Sequence, residues 1–99
     1  PKQLNQISVE QIIKMVAKEL QVKEKNILGK KRDMQIALAR QICMFLSKKL
    51  TNLSLSNIGQ QIGKRDHSTV IHAYKTIEKK IEKDVELKQI ILKIERKIK

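Results

Sequence analysis

Residues 54–81, SLSNIGQQIGKRDHSTVIHAYKTIEKKI, read as two helices joined at a glycine-containing turn. Ser54 or Ser56 can cap the first, 54–62, which carries Ile58 and Ile62 and stops at Gly63. The turn Gly63-Lys64-Arg65-Asp66 leads to the second, 66–81, with Val70, Tyr74, Ile77 and Ile81 on one face. This is the helix-turn-helix pattern, in which the second helix enters the DNA major groove by its N-terminal end. That end reads Asp66, His67, Ser68 and Thr69, short side chains with donors and acceptors that reach base edges without filling the groove. An Asp can accept from cytosine N4, Ser and Thr can serve either base, and a Thr methyl can pack on the thymine methyl. Beside Lys64 and Arg65, the helix N-terminus also offers backbone N–H groups and a positive dipole end to a phosphate. Capping by Asp66 or Ser68 accounts for one of these residues but leaves the run of four unexplained.

Outward from this motif every element reads helical. Ser8 stands three before Gln11, a capping-box spacing, and Ile7 is placed for a hydrophobic staple. Val9, Ile12, Ile13, Val16, Ala17 and Leu20 then give an amphipathic helix to about Leu20. Residues 21–28 read as a short turn of helix tied down by Val22, Ile27 and Leu28. Gly29-Lys30-Lys31-Arg32-Asp33 is a basic loop ending on a capping Asp. Ile36, Ala39, Ile42, Cys43, Leu46 and Leu50 follow on a long helix, broken at Thr51-Asn52. A last helix, about 84–98, carries Leu87, Ile91, Ile94 and Ile98. The expected architecture is all-α, about six helices with a helix-turn-helix and an upstream basic loop, in one domain over 1–99 with a polar lead-in at 1–6. Three Gly and one Pro are too few for an all-β sandwich, and with 2% aromatics the core must be Ile, Leu, Val, Met and Ala.

The net charge is +12, and its placement is informative. Residues 23–80 hold thirteen basic and four acidic side chains, the flanks nine and six, and residues 50–63 none. The excess sits on the basic loop, the long helix and the helix after Gly63, a footprint for a polyanion rather than an evenly mixed solubilising surface. Lys30-Lys31-Arg32 also opposes the dipole at the start of the long helix, a placement that a bound polyanion would neutralise. Arg is the usual residue in a narrow A·T-rich minor groove, which singles out Arg32.

Other chemistry finds little support. A single cysteine, Cys43, excludes a disulfide framework and a Cys-based zinc finger; on the apolar side of its helix it reads as a buried, inert thiol. No signal peptide or membrane-spanning apolar run occurs, so the expected location is cytoplasmic. A start at Pro1 rather than Met points to a piece of a longer protein. Asp66, His67 and Ser68 contain the letters of a hydrolase triad, but consecutive helical residues point about 100° apart. His67 and His72 are five apart, not at the spacing that puts two metal ligands on one face, and His72 is expected to pack or hydrogen-bond inside the motif. Methionines 15, 34 and 44 are too few for a Met-rich docking surface, and no Walker sequence occurs. The chain is therefore not expected to be an enzyme. One alternative is a basic helical module docking by charge on acidic phospholipid or an acidic protein, which leaves 66–69 unused. Another is a different helix-turn-helix regulator, a repressor or a promoter-reading sigma domain, neither of which needs the upstream loop.

Residues 63–73, GKRDHSTVIHA, closely resemble the signature of the C-terminal DNA-binding domain (domain IV) of the DnaA family of bacterial replication initiators. The resemblance runs from Ile7-Ser8-Val9 through Lys30-Lys31-Arg32, Ala39-Arg40-Gln41-Ile42 and Leu50-Thr51-Asn52; only the first few residues and the C-terminal helix align loosely. It implies a Trp-repressor-like fold that binds double-stranded DnaA boxes at the replication origin. It assigns Arg32 to the minor groove and Asp66, His67, Ser68 and Thr69 to the major groove, with Leu55 and Ser56 on base methyls or backbone. Phosphate contacts fall to Arg40, Lys48 and Arg65, with Gln41, Lys64 and Lys75 as additions and Lys30, Lys31 and Ser54 completing the backbone set. Ser56 stands where Pro is frequent, Ser68 where Thr is, Lys64 where Gly is common, and Met34 where a basic residue can occur. The resemblance implies no cofactor for this segment: ATP belongs to an AAA+ domain absent from it. Family members oligomerise through other domains, so a monomer on each box is expected here.

Overall fold

The structure, a computed structural model, describes residues 6–99, so the lead-in expected over 1–6 lies, apart from Gln6, outside it. The described residues form six helices and no strand: α1 (Val9–Leu20), α2 (Glu24–Leu28), α3 (Met34–Leu50), α4 (Leu55–Gln61), α5 (His67–Lys83) and α6 (Val85–Ile98). At α1 the capping box forms in full. The Ser8 hydroxyl accepts from the Gln11 N–H at 3.1 Å, and the Gln11 side-chain oxygen accepts from the Ser8 N–H at 2.9 Å. Ile7 is half-buried against the core.

The core is built around α3. Ile42, Cys43, Met44, Phe45, Leu46 and Ser47 are buried in succession, more than a full helical turn, so the middle of α3 is enclosed on every side. α1 and α5 pack along it, α4 sits against α5, and α6 closes the side between α1 and α5. Aliphatic side chains fill the interior, among them Ile12, Ile27, Leu46, Ile62 and Ile77. The one Phe and one Tyr stack on each other with ring centroids 5.0 Å apart, joining α3 to α5. Ion pairs add to the hold on α6: Glu19 of α1 meets Lys97 at 2.6 Å and Lys93 at 3.4 Å, and buried Glu95 meets Lys49 of α3 at 3.0 Å. Cys43 is buried, and burial pushes its thiol far up, which keeps it protonated and unreactive. No described helix is long and apolar enough to cross a membrane.

Three local expectations change. Leu28, expected to anchor the segment 21–28, is 40% exposed, while its neighbour Ile27 is fully buried: at the last residue of α2 the two point in different directions. Asp33 occupies the N-cap position of α3, but its side chain makes no capping hydrogen bond, so the first turn of α3 has no acidic partner. α5 runs two residues past 81 to Lys83. It ends because Asp84 starts α6, its carboxylate accepting from the Leu87 N–H at 3.0 Å.

Candidate nucleic-acid interface

The turn between α4 and α5 is unusually close. Arg65 N–H donates to the Gly59 carbonyl at 2.7 Å, and a Cβ on Gly59 would collide with the Arg65 carbonyl oxygen. Gly63 and Lys64 both adopt left-handed backbone, at φ 76° and 56°. This conformation is easiest for glycine, which gives a physical reason why glycine suits position 64; here a lysine carries it. The glycine inside α4 is the sequence signal for this close approach.

Asp66 is the N-cap of α5. Its carboxylate accepts from the His67 N–H at 3.0 Å and from the Ser68 hydroxyl at 2.8 Å, and His67 Nδ1 lies 3.4 Å away. The Ser68 hydrogen bond, opposed by burial and aided by the His67 N–H and ring, holds this carboxyl below the usual range. Asp66 therefore organises the two residues after it as well as capping. Thr69 is exposed, with no side-chain partner among the described residues. His72, expected inside the motif, is exposed: it lies one turn beyond Ser68 and Thr69, and Lys75 continues the same face. Its spacing from Ser68 was the available signal. Ser54, not Ser56, caps α4, accepting from the Asn57 N–H at 3.1 Å, and Leu55 is half-buried against the core. That leaves Ser56 exposed, where it shares a shallow groove of about 310 Å³ with Gln60, Lys64, Arg65, Asp66 and His67. Gln60 is an addition that the sequence reading did not name.

The basic loop exposes Lys30, Lys31 and Arg32 and turns backbone carbonyls inward to Arg40 of α3. Arg40 Nε donates to the Ile27 carbonyl at 2.7 Å. Its Nη2 lies within hydrogen-bonding distance of the carbonyls of Asn26 (2.9 Å), Gly29 (3.1 Å) and Lys31 (3.0 Å). Arg65 donates through Nη1 to the Ile62 carbonyl at 3.1 Å and through Nη2 to the same Gly29 carbonyl. Both arginines are half-buried. Burial lowers the pKa of each, and the charge of Arg65 adds to the effect on Arg40. Arg40 through Nε and Nη2, and Arg65 through Nη1 and Nη2, both assigned by resemblance to phosphates, are thus bonded to the protein's own backbone. Gln41 is half-buried, whereas Lys48 and Lys75 are exposed, with Lys48 Nζ 4.5 Å above the Tyr74 ring. Met34, next to the loop, is 89% exposed. Among the described residues no cluster of three or more His, Cys, Asp or Glu side chains could hold a metal.

Residues 9–77 match the family model described as the bacterial DnaA protein helix-turn-helix, a span covering all of α1–α4 and most of α5. Among curated proteins, the chain is 46% identical over 88 residues to the chromosomal replication initiator protein DnaA of Methylacidiphilum infernorum (isolate V4), covering 89% of this chain and 19% of that one. It is 45% identical over 94 residues to the protein of the same name from Limosilactobacillus reuteri (strain DSM 20016), covering 95% and 21%. With that of Thermodesulfovibrio yellowstonii it shares 42% over 98 residues, covering 99% and 22%. The chain spans about a fifth of the length of these relatives.

Proposed function

Because the chain belongs to the bacterial DnaA helix-turn-helix family, we propose that it reads double-stranded DnaA boxes at the replication origin, one monomer to a box. The observation that carries this reading is the exposed start of α5. Its polar residues His67, Ser68 and Thr69 stand beside the turn cations and continue into His72 and Lys75. Lodged in the major groove, that face would present hydroxyls, a methyl and imidazoles to base edges. Ser56 and Gln60 share a groove with Asp66 and His67, so α4 would follow α5 against the same stretch of duplex.

Arg32 supplies the second reading element, in the minor groove at the A·T-rich end of the site. Lys30, Lys31, Lys48, Lys64 and Lys75 are exposed and would meet phosphates. These contacts carry much of the affinity and make it fall steeply with salt, log K decreasing by roughly 0.9 per log unit of salt for each phosphate neutralised. Assembly on the origin and any use of ATP would belong to the remainder of a full-length initiator.

The test is a binding titration against a DnaA-box duplex and a scrambled duplex of equal composition, near physiological salt. A preference of about a hundredfold or more supports the reading. Equal affinity overturns it and leaves a basic helical module that binds by charge.

A further inference from the structure

We propose that Arg40 and Arg65 are positioning residues: together they lock the basic loop into the shape that presents Arg32 and tie that loop to the turn before α5. The inference rests on the DNA-reading function above and concerns how its two reading elements are held in register.

The loop has no means of its own to hold a shape. Residues 30–33 lie in neither helix nor strand, and the Asp33 side chain makes no capping bond. What fixes the segment is a side chain from the second turn of α3. The Arg40 fork reaches four carbonyls spread over Asn26–Lys31, the end of α2 and most of the loop. The guanidinium spreads its donors over Nε and Nη2 in one rigid plane, whereas a lysine ammonium is a compact point charge on a flexible stem. With the carbonyls of Gly29 and Lys31 drawn inward, the side chains of Lys30, Lys31 and Arg32 remain exposed.

Arg65 makes the lock a coupling. It belongs to the helix-turn-helix turn, thirty-six residues along the chain from Gly29, yet it donates to the Gly29 carbonyl that Arg40 also reaches. Two guanidinium groups this close repel each other, and the shared carbonyl oxygen offsets that repulsion. The junction leaves no spare room: a Cβ on Gly63 would collide with Arg65 Nη1 and press on the Leu28 carbonyl. A shift of the loop is thus transmitted to the residue that immediately precedes the α5 cap. A reading element fixed before binding loses less freedom on binding, and that favours discrimination.

The test uses Arg40→Lys, which keeps the charge and removes the fork, with Arg65→Lys as the second variant should the first fail to fold. Four duplexes are compared: the intact box, the scrambled control, and boxes whose A·T pairs at the Arg32 end are replaced by inosine·cytosine or by G·C. Inosine·cytosine lacks the guanine amino group, so its minor groove resembles A·T while its major groove resembles G·C; the ratio between the last two duplexes reports minor-groove reading alone. Wild type should prefer inosine·cytosine by about tenfold, and Arg40→Lys should reduce that ratio to within about twofold, with no further reduction on an Arg32→Ala background. In the unbound protein, backbone ¹⁵N relaxation at residues 30–32 should show increased motion in the variant. A retained ratio, or an equal loss on all four duplexes as a plain phosphate contact would give, overturns the proposal. So does unchanged loop relaxation, whatever the DNA result. A wild type that fails to separate box from scrambled duplex sinks the function instead, and the relaxation result then decides the lock by itself.

Discussion

Arg65 lies across the backbone of Gly59: its N–H donates to the Gly59 carbonyl at 2.7 Å, and its own carbonyl oxygen occupies the space a Gly59 side chain would need. The sign of a common stabilising substitution is reversed by this contact. Gly→Ala inside a helix ordinarily adds up to about 1 kcal/mol. Gly59→Ala should instead destabilise by about 2 kcal/mol or more, because the Cβ meets rigid backbone, not a movable side chain. Urea unfolding checks this, and a midpoint at or above wild type would contradict the packing described for the turn.

Arg32→Ala should remove the A·T preference at one end of the box and reduce the salt slope by no more than one phosphate equivalent. Arg32 is exposed on a loop whose backbone is held by other residues, so the melting temperature should stay within a degree or two. Titration against boxes altered pair by pair locates the lost preference; a uniform loss at every position would make Arg32 a phosphate contact only.

Thr69→Ala should weaken binding to the box by about 1–3 kcal/mol and change binding to scrambled DNA little. Ser68→Ala should behave differently. The Ser68 hydroxyl donates to the capping carboxylate of Asp66, so its loss should also lower thermal stability. If Thr69→Ala weakens both duplexes equally, its place in base reading is wrong.

Acid should loosen the α1–α6 clasp. The Lys97 hydrogen bond, opposed by burial and aided by the charge of Lys93, holds Glu19 below the usual carboxylate range. A carboxyl whose pKa is depressed by folding adds stability that is fully present above its unfolded value and is lost as pH falls through the folded one. The melting temperature of wild type should therefore fall below about pH 5. The Glu19→Gln curve should run beneath it at neutral pH and converge with it in acid. Parallel curves would show that the clasp contributes nothing.

What could be read from residue spacing is what short-range physics decides. The capping box at Ser8 and Gln11 involves residues three apart, and it forms as expected. The same is true of Val70 and Ile77 in the apolar stripe that sets α5 against the core; Tyr74 and Ile81 of the expected face are half-buried, and Ala73 is buried in addition. His72 was legible from that stripe too, since two residues beyond Val70 a helix has turned about 200° and faces away. Asp33 and Arg40 were not legible. The loop takes its shape from a guanidinium nine to eleven residues away, bonded to the Gly29 and Lys31 carbonyls, irregular backbone that no periodicity encodes. Gly59 carried a visible signal, a glycine within a helix, but its neighbour Arg65 is brought there by the turn's two left-handed residues.

The uncharged stretch 50–63 has a kinetic consequence. It leaves α4 without a charged side chain, although the helix ends beside the turn cations Lys64 and Arg65, and Arg65 ties that turn to the basic loop. Ionic contacts to phosphates are alike at every base step and let a protein slide. Under the proposed function, retention and inspection would be divided between different side chains. The molecule would travel along DNA on its lysines and stop only where the start of α5 met matching base edges.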